Sequence, residues 1–157
     1  MMTLEIMSRQ MCQEFYKEFQ NDPAIYADMN RFSEFVYDPA WVDRYFDRQA
    51  EKGRFLFAIV VDNQMVGEVK LHSIDHEKRE CSLGIHLRND VVKGKGYGTE
   101  AEKLAVQYAF DVLGMEAVNA DAILKNVRSQ HVLEKAGFQF VCQDDMYRYY
   151  RLEKAKK

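Results

Sequence analysis

Disulfide and zinc chemistry are the first things this sequence argues against. Its three cysteines, Cys12, Cys81 and Cys142, are odd in number and far apart, and no Cys-x-x-Cys occurs. The histidines fail in the same way. His72 and His76 straddle one strand end, no His-Glu-x-x-His is present, and no metal site is expected. There is no basic excess either: 22 Lys and Arg stand against 25 Asp and Glu, a formal net charge of -3, so no global field for nucleic acid exists. No apolar run approaches the ~20 residues of a membrane span. The opening Met1-Met2-Thr3-Leu4-Glu5-Ile6 lacks the basic head and long apolar stretch of a signal peptide. Neither membrane insertion nor secretion is therefore expected, and a reduced, cytoplasmic protein is the simplest expectation. No internal repeat or linker interrupts the chain. What remains is 157 residues with 47% hydrophobic content, which suits one globular domain, 1-157, with a single core.

What is there centres on Val91-Val92-Lys93-Gly94-Lys95-Gly96-Tyr97-Gly98-Thr99-Glu100-Ala101. Three glycines alternate with Lys95 and Tyr97, and an apolar-striped helix follows. Such a loop lets a ligand approach the backbone and aims several N–H donors at one place, with the positive end of a helix dipole behind them. A phosphate or pyrophosphate fits there, and Lys93 and Lys95 add positive charge. The P-loop pattern fails, because Gly94 would require a glycine at 99, where Thr99 stands. The dinucleotide fingerprint fails for the same residue, and the loop sits past mid-chain rather than in an early βαβ unit.

The segment Lys93-Gly94-Lys95-Gly96-Tyr97-Gly98 closely resembles the Arg/Gln-Gly-x-Gly-x-Gly/Ala loop of the GNAT N-acetyltransferases, with Lys in the first place. Downstream, Asn126-Val127-Arg128-Ser129-Gln130-His131-Val132-Leu133-Glu134-Lys135-Ala136-Gly137-Phe138 resembles the Asn-x-x-Ser…Glu-Lys-x-Gly-Phe segment of that superfamily, most like its RimJ/RimL-type branch. The resemblance covers roughly residues 54 to 152 and extends only loosely to the N-terminal third. It implies a single α/β domain of the α+β type: a mostly antiparallel central sheet with one splayed parallel strand pair and helices on both faces.

Periodicity places the elements. Leu4 to Met7 reads as a short strand, Ser8 as an N-cap, and Met11, Cys12, Phe15, Tyr16 and Phe19 as a helix stripe that Asn21-Asp22-Pro23 breaks. Between 24 and 38, Met29, Phe32 and Val36 are spaced for one helical face packed on the sheet, while Asp22, Asp28, Glu34 and Asp38 make the region acidic. Pro39 starts a helix striped by Trp41, Val42, Tyr45 and Phe46 and ended by Gly53, with Trp41 expected in the core. The apolar run 55–61 reads as a central strand, 65–74 as its antiparallel return, and 79–87 as a third strand leading into the glycine loop. Thr99 to Leu113 follows as a helix. Its start is either a capping box over Thr99-Glu100-Ala101-Glu102 or, as GNAT folds imply, a point inside the loop that leaves Glu102 merely exposed. Met115 to Leu124 is the next strand, Asn126 caps a helix ended by Gly137, and 138–142 with 147–152 close the chain as a hairpin whose exposed strands offer a homodimer edge.

The resemblance also implies the chemistry. Acetyl-CoA is the co-substrate, its pyrophosphate on the backbone of Lys93, Gly94, Lys95, Gly96, Tyr97, Gly98 and Thr99, its pantetheine along Ile85, His86 and Leu87, with an N–H near Leu87 polarising the thioester carbonyl. Asn126 reaches the pantetheine arm or acts as the N-cap alone, or both. Arg128 meets the adenosine end or is a solvated helix charge. An amine must lose a proton before it attacks. Glu80 matches by count the base of histone-type members, Ser82 occupies the RimJ/RimL-type glutamate position, and Glu68 and His72 are rivals. Leu133 stands where many relatives use a tyrosine acid, which leaves Ser129 as the partner of the thiol. The acceptor is then a primary amine, either a small amine such as a polyamine or a protein N-terminus, and the acidic N-terminal third favours a cation. A non-catalytic acyl-CoA sensor is the alternative that Ser82 and Leu133 leave open.

Overall fold

The computed structural model describes residues 2–26, 28–89 and 93–155. Val91 and Val92, the start of the glycine-loop stretch, lie outside them, as do Met1 and the last two residues of the charged tail. Strand β1 (Met2–Ile6) leads to helix α1 (Arg9–Glu18), where the Ser8 hydroxyl accepts the Met11 N–H at 3.2 Å. Helix α2 (Pro39–Glu51) is capped by Asp38, which accepts the Ala40 N–H at 3.0 Å, with Pro39 in its first turn. Strands β2 (Phe55–Val61), β3 (Gln64–Asp75) and β4 (Glu80–Leu87) form an antiparallel meander. Helix α3 (Tyr97–Asp111), strand β5 (Ala117–Ile123), helix α4 (Val127–Lys135) and the hairpin β6 (Gln139–Gln143) and β7 (Tyr147–Glu153) complete the chain.

Among the described residues, seven strands join one sheet in the order β1-β2-β3-β4-β5-β7-β6, and β4 with β5 is its one parallel pair. This is the expected mostly antiparallel sheet. Its two faces carry different cores. On one side, Cys81, Leu83, Val118, Ala120 and Tyr150 pack beneath Ala101, Ala105, Val106 and Ala109 of α3 and Leu133 of α4. On the other, Leu56 and Ala58 pack beneath Cys12, Phe15 and Tyr16 of α1 and Val42 of α2. Because side chains alternate along strands, Glu80, Ser82 and His86 point to the α1/α2 side while Cys81 and Leu83 point to the α3/α4 side. The edge strand β6 is exposed along its whole length.

Residues 24–38 differ from expectation. Among the described residues there, no helical face forms. Two single 3₁₀ turns, 23–25 and 29–31, stand in extended chain, each opened by an aspartate: Asp22 accepts the Ala24 N–H at 2.8 Å and Asp28 the Asn30 N–H at 3.0 Å. Asp side chains that bond nearby N–H groups offer the backbone an alternative to helix, and Pro23 removes a donor as well. Val36 is 81% exposed and Met29 51%, so the supposed apolar stripe faces water, while Phe35 turns in against Tyr16 and Trp41. Trp41 itself is 39% exposed and stacks on Tyr45 rather than filling the core.

Candidate active site

The helix begins inside the glycine loop, two residues before Thr99, which is the start that the resemblance implies. Gly96 is the N-cap, at φ +81°, a conformation that a Cβ disfavours, and no side chain caps it. The first intrahelical bond of α3 is Glu100 N–H to Gly96 O at 3.2 Å. The preceding N–H groups of Tyr97, Gly98 and Thr99 therefore have no intrahelical acceptor and lie at the positive end of a four-turn dipole. Gly98 presses against the neighbouring elements: a Cβ there would come within 3.4 Å of Val132 and 3.9 Å of Ile85. An uncapped helix start crossed by bare backbone is what a pyrophosphate needs, so the chain's own residues fit that group. Lys95 is exposed beside it. Lys93 is not the free charge that was expected. Its ammonium bonds the Asp22 carboxylate at 2.6 Å, tying the loop to the N-terminal segment. Burial alone would raise the Asp22 carboxyl, but the Lys93 and Ala24 hydrogen bonds outweigh that and hold it below its ordinary value.

The parallel strands separate as the resemblance implied. β4 and β5 pair only at Glu80 with Ala117, Cys81 with Val118 and Ser82 with Asn119. From Leu83 onward β4 bonds β3 but not β5, which leaves a gap lined by freed backbone. A trough made of three adjoining cavities that share lining residues follows the gap. Its outer part, lined by Gly96, Tyr97, Gly98, Thr99 and Arg128, reaches the start of α3. Its middle part is lined by Ile85, His86, Leu87, Lys93, Asn126 and Arg128, with Phe19, Asp22 and Ile25 at the mouth. Its inner part passes between the splayed strands to His72, Ser82, Asp121 and Tyr147. Ile85, His86, Asn126 and Ser129 line both middle and inner parts. The Asn126 side chain caps α4, accepting the Ser129 N–H at 3.2 Å, and faces the trough as well.

Glu80 is the expected site residue that the structure does not bring in. It shares a face with Ser82, as its spacing requires, but lies at the closed end of the gap. Its carboxylate is held by the Arg151 guanidinium and by Asn119 Nδ2 at 3.3 Å, and the Arg151 bond, then the Asn119 bond, keep it below the ordinary carboxylate range. It lines no part of the trough. Glu68, a rival, is buried at 1% exposure and accepts the Tyr45 hydroxyl at 2.6 Å and the Tyr16 hydroxyl at 3.1 Å. His72 does reach the inner trough. Burial, then Lys70 and Arg54, pushes its imidazole below the usual value, so it is neutral at pH 7. Burial does the same to His86.

Two residues that sequence reasoning missed or misassigned also line the inner trough. Asp121, exposed on β5, projects to the α1/α2 side, and partial burial raises its carboxyl. Glu102 is neither a capping-box partner nor exposed. It sits one turn beyond Gly98 on the sheet-facing side of α3, 1% exposed, and both its carboxylate oxygens lack a hydrogen-bond partner. Burial pushes it from 4.5 up to about 8. A signal existed: Glu102 lies among Gly98, Ala101, Ala105 and Ala109, the small residues of the buried stripe. Among the described residues, no group of three or more His, Cys, Asp or Glu is placed to hold a metal, and no helix is long and apolar enough to cross a membrane.

Comparison with known proteins bears on the family and the fold. Residues 2–139 match the family model described as Acetyltransferase (GNAT) domain. The chain is 31% identical over 99 residues to a probable N-acetyltransferase, YjcK, of Bacillus subtilis, covering 62% of this chain and 55% of that protein. It is 30% identical over 96 residues to the spermidine N(1)-acetyltransferase of Escherichia coli, covering 61% and 50%. The chain thus spans about half the length of the curated relatives it matches. In fold it is similar to the spermidine N-acetyltransferase of Vibrio cholerae in complex with CoA and spermine, with TM-score 0.79, 16% identity, and 97% of this chain and 95% of that chain covered. The aminoglycoside acetyltransferase AAC(6')-Ib with coenzyme A and kanamycin gives TM-score 0.76 at 16% identity, covering 98% and 95%.

Proposed function

The chain belongs to the GNAT acetyltransferase family, and on that premise we propose that it is an acetyl-CoA-dependent N-acetyltransferase whose acceptor is a cationic primary amine of the polyamine type. One observation carries this reading: adjoining cavities that share lining residues lead from the uncapped start of α3, along the gap between β4 and β5, to a groove lined by the Asp121 carboxylate. Acetyl-CoA supplies an activated acetyl group at its thioester. Tyr97, Gly98 and Thr99 N–H groups receive its pyrophosphate. The backbone of Ile85, His86 and Leu87, freed from β5, orients the pantetheine arm, with Asn126 opposite and Arg128 toward the adenosine end. Positioning of this kind supplies much of the rate in a transfer between two bound reactants.

The acceptor end is built on β3, β5 and β7. Asp121 attracts an ammonium group, and Tyr147, at the same end of the groove, offers a ring face to it. An amine must shed one proton before attack. His72 lies in that groove with a neutral ring able to take the proton, directly or through water, where Glu80 is occupied by Arg151. Charge at Asp121 discriminates against neutral and anionic acceptors. Polyamine acetylation by relatives of similar sequence and fold points the same way.

CoA-thiol release across polyamines, aminoglycosides, amino acids and N-terminal peptides, with Asp121→Asn alongside, tests the proposal. The expected result is turnover on polycations, with KM for the amine raised about tenfold or more in Asp121→Asn and KM for acetyl-CoA unchanged. Confirmed acetyl-CoA binding with no turnover on any amine would instead favour a non-catalytic acyl-CoA sensor.

A further inference from the structure

We propose that Glu102 is the proton donor to the sulfur that leaves the acyl donor, a role that deepens the acetyltransferase reading above and rests on it. Glu102 lines both the middle and inner parts of the trough, at the point where the pantetheine arm gives way to the acceptor groove. Its side chain tilts toward the N-terminus of α3, as helical side chains do, and hence toward the donor end of the trough. Both oxygens are buried and neither has a hydrogen-bond partner in the protein. A buried polar group left in that state destabilises the fold. On a stripe otherwise made of Gly98, Ala101, Ala105, Val106 and Ala109, a leucine would avoid that cost. The carboxyl therefore has no structural use where it stands, and the group it awaits is one that enters the trough.

Its surroundings keep it protonated. The titratable and charged groups facing this part of the trough are His72 from β3, His86 from β4, Asp121 from β5, Arg128 from α4, Tyr147 from β7, and the Asp22–Lys93 pair at the mouth. None of these shifts Glu102 appreciably; burial alone raises it to about 8. That value sits close to an ordinary thiol, about 8.5 by reference to cysteine, which is the match that general acid catalysis favours. Ser129, on the opposite wall, can hydrogen-bond the same sulfur, but a serine hydroxyl is too weak an acid to supply a proton by itself.

The step balances without any further reagent. A C–N bond forms between amine and acetyl carbon, the C–S bond breaks, and its electron pair stays on sulfur. The Glu102 carboxyl gives its proton to that sulfur. The proton displaced from the amine nitrogen restores the carboxyl, through water in the inner trough or through His72.

Two measurements with Glu102→Gln test this, and Glu102→Leu guards against a folding artefact. In the first, CoA is bound to the protein and its thiol is titrated by thiolate ultraviolet absorbance. In the wild type the neighbouring carboxylate ionises too and opposes a second negative charge, so the bound thiol loses its proton at least about one pH unit higher than in Glu102→Gln or Glu102→Leu. In the second, kcat with the best amine falls about 10²-fold or more in Glu102→Gln, with KM for acetyl-CoA within about threefold and the alkaline limb near pH 8 lost. Identical thiol titrations in wild type and both variants would overturn the role of Glu102 while leaving the acetyltransferase reading intact. Failure of the wild type to bind CoA would overturn the acetyltransferase reading, and this inference with it.

Discussion

Replacing Glu102 has a consequence for folding that needs no ligand. The group is buried at 1% exposure, and burial raises its carboxyl from 4.5 to about 8. In the unfolded chain it titrates near 4.5, so between the two values the folded state binds more protons than the unfolded one. Stability then falls as pH rises. The favourable protonated form is fully present below about pH 4.5, is lost progressively up to about pH 8, and changes no further above that. At 1.36 kcal/mol per pH unit, the loss across this window approaches about 4 kcal/mol. Glu102→Gln removes the titration and keeps the shape. Urea unfolding of wild type and variant from pH 5 to pH 8.5 isolates the effect, since His72, His86 and the Asp22–Lys93 pair contribute equally to both. The difference between the two proteins should change by several kcal/mol in favour of the variant as pH rises, with m-values unchanged. Parallel stability curves would refute the reasoning, because they would mean that Glu102 is already solvated or paired in the folded protein.

Two other perturbations separate binding from chemistry. Gly98→Ala places a methyl group 3.4 Å from Val132 in a helix that favours alanine, so stability should stay within about 1 kcal/mol while KM for acetyl-CoA rises about tenfold or more in steady-state kinetics. An unchanged KM would mean that the backbone at Gly98 is not approached. Glu80→Gln breaks the contact with Arg151 at the closed end of the gap, so kcat and the acidic limb of the pH profile should stay within about threefold of wild type. A loss of 10²-fold with a shifted acidic limb would restore Glu80 as the base.

Much of the architecture was legible because it rests on local signals. The seven strands, the apolar run of β2, the caps Ser8 and Asn126, and the glycine loop before an apolar stripe are all properties of short windows, and each fell within a few residues of its observed place. What misled was long-range or required choosing between two local meanings. Glu80 was legible as a strand carboxylate on the correct face. Its partner Arg151, which decides its role, lies 71 residues away on a strand whose register no local window reveals. Lys93 and Asp22 are likewise 71 residues apart. For Glu102 the sequence offers a capping box or, with the helix start inside the loop, an exposed position. The start does lie inside the loop, at Tyr97, but the side chain falls on the buried stripe with Gly98, Ala101 and Ala105, and which face of α3 meets the sheet is a tertiary property. Residues 24–38 defeated helical spacing because Asp22 and Asp28 bond their own neighbours, each opening a turn of only three residues in extended chain.

The separation of β4 from β5 beyond Ser82 has a geometric consequence for anything designed to occupy this protein. On the function proposed above, donor and acceptor meet at the gap between β4 and β5, which is bordered by Leu83, Gly84, Ala120 and Ala122. A compound that joins both halves must therefore be threaded through the plane of the sheet and not laid across it. Its waist has to pass between the two strands, whatever bulk it carries at either end, because strand backbone cannot swing aside as a side chain can.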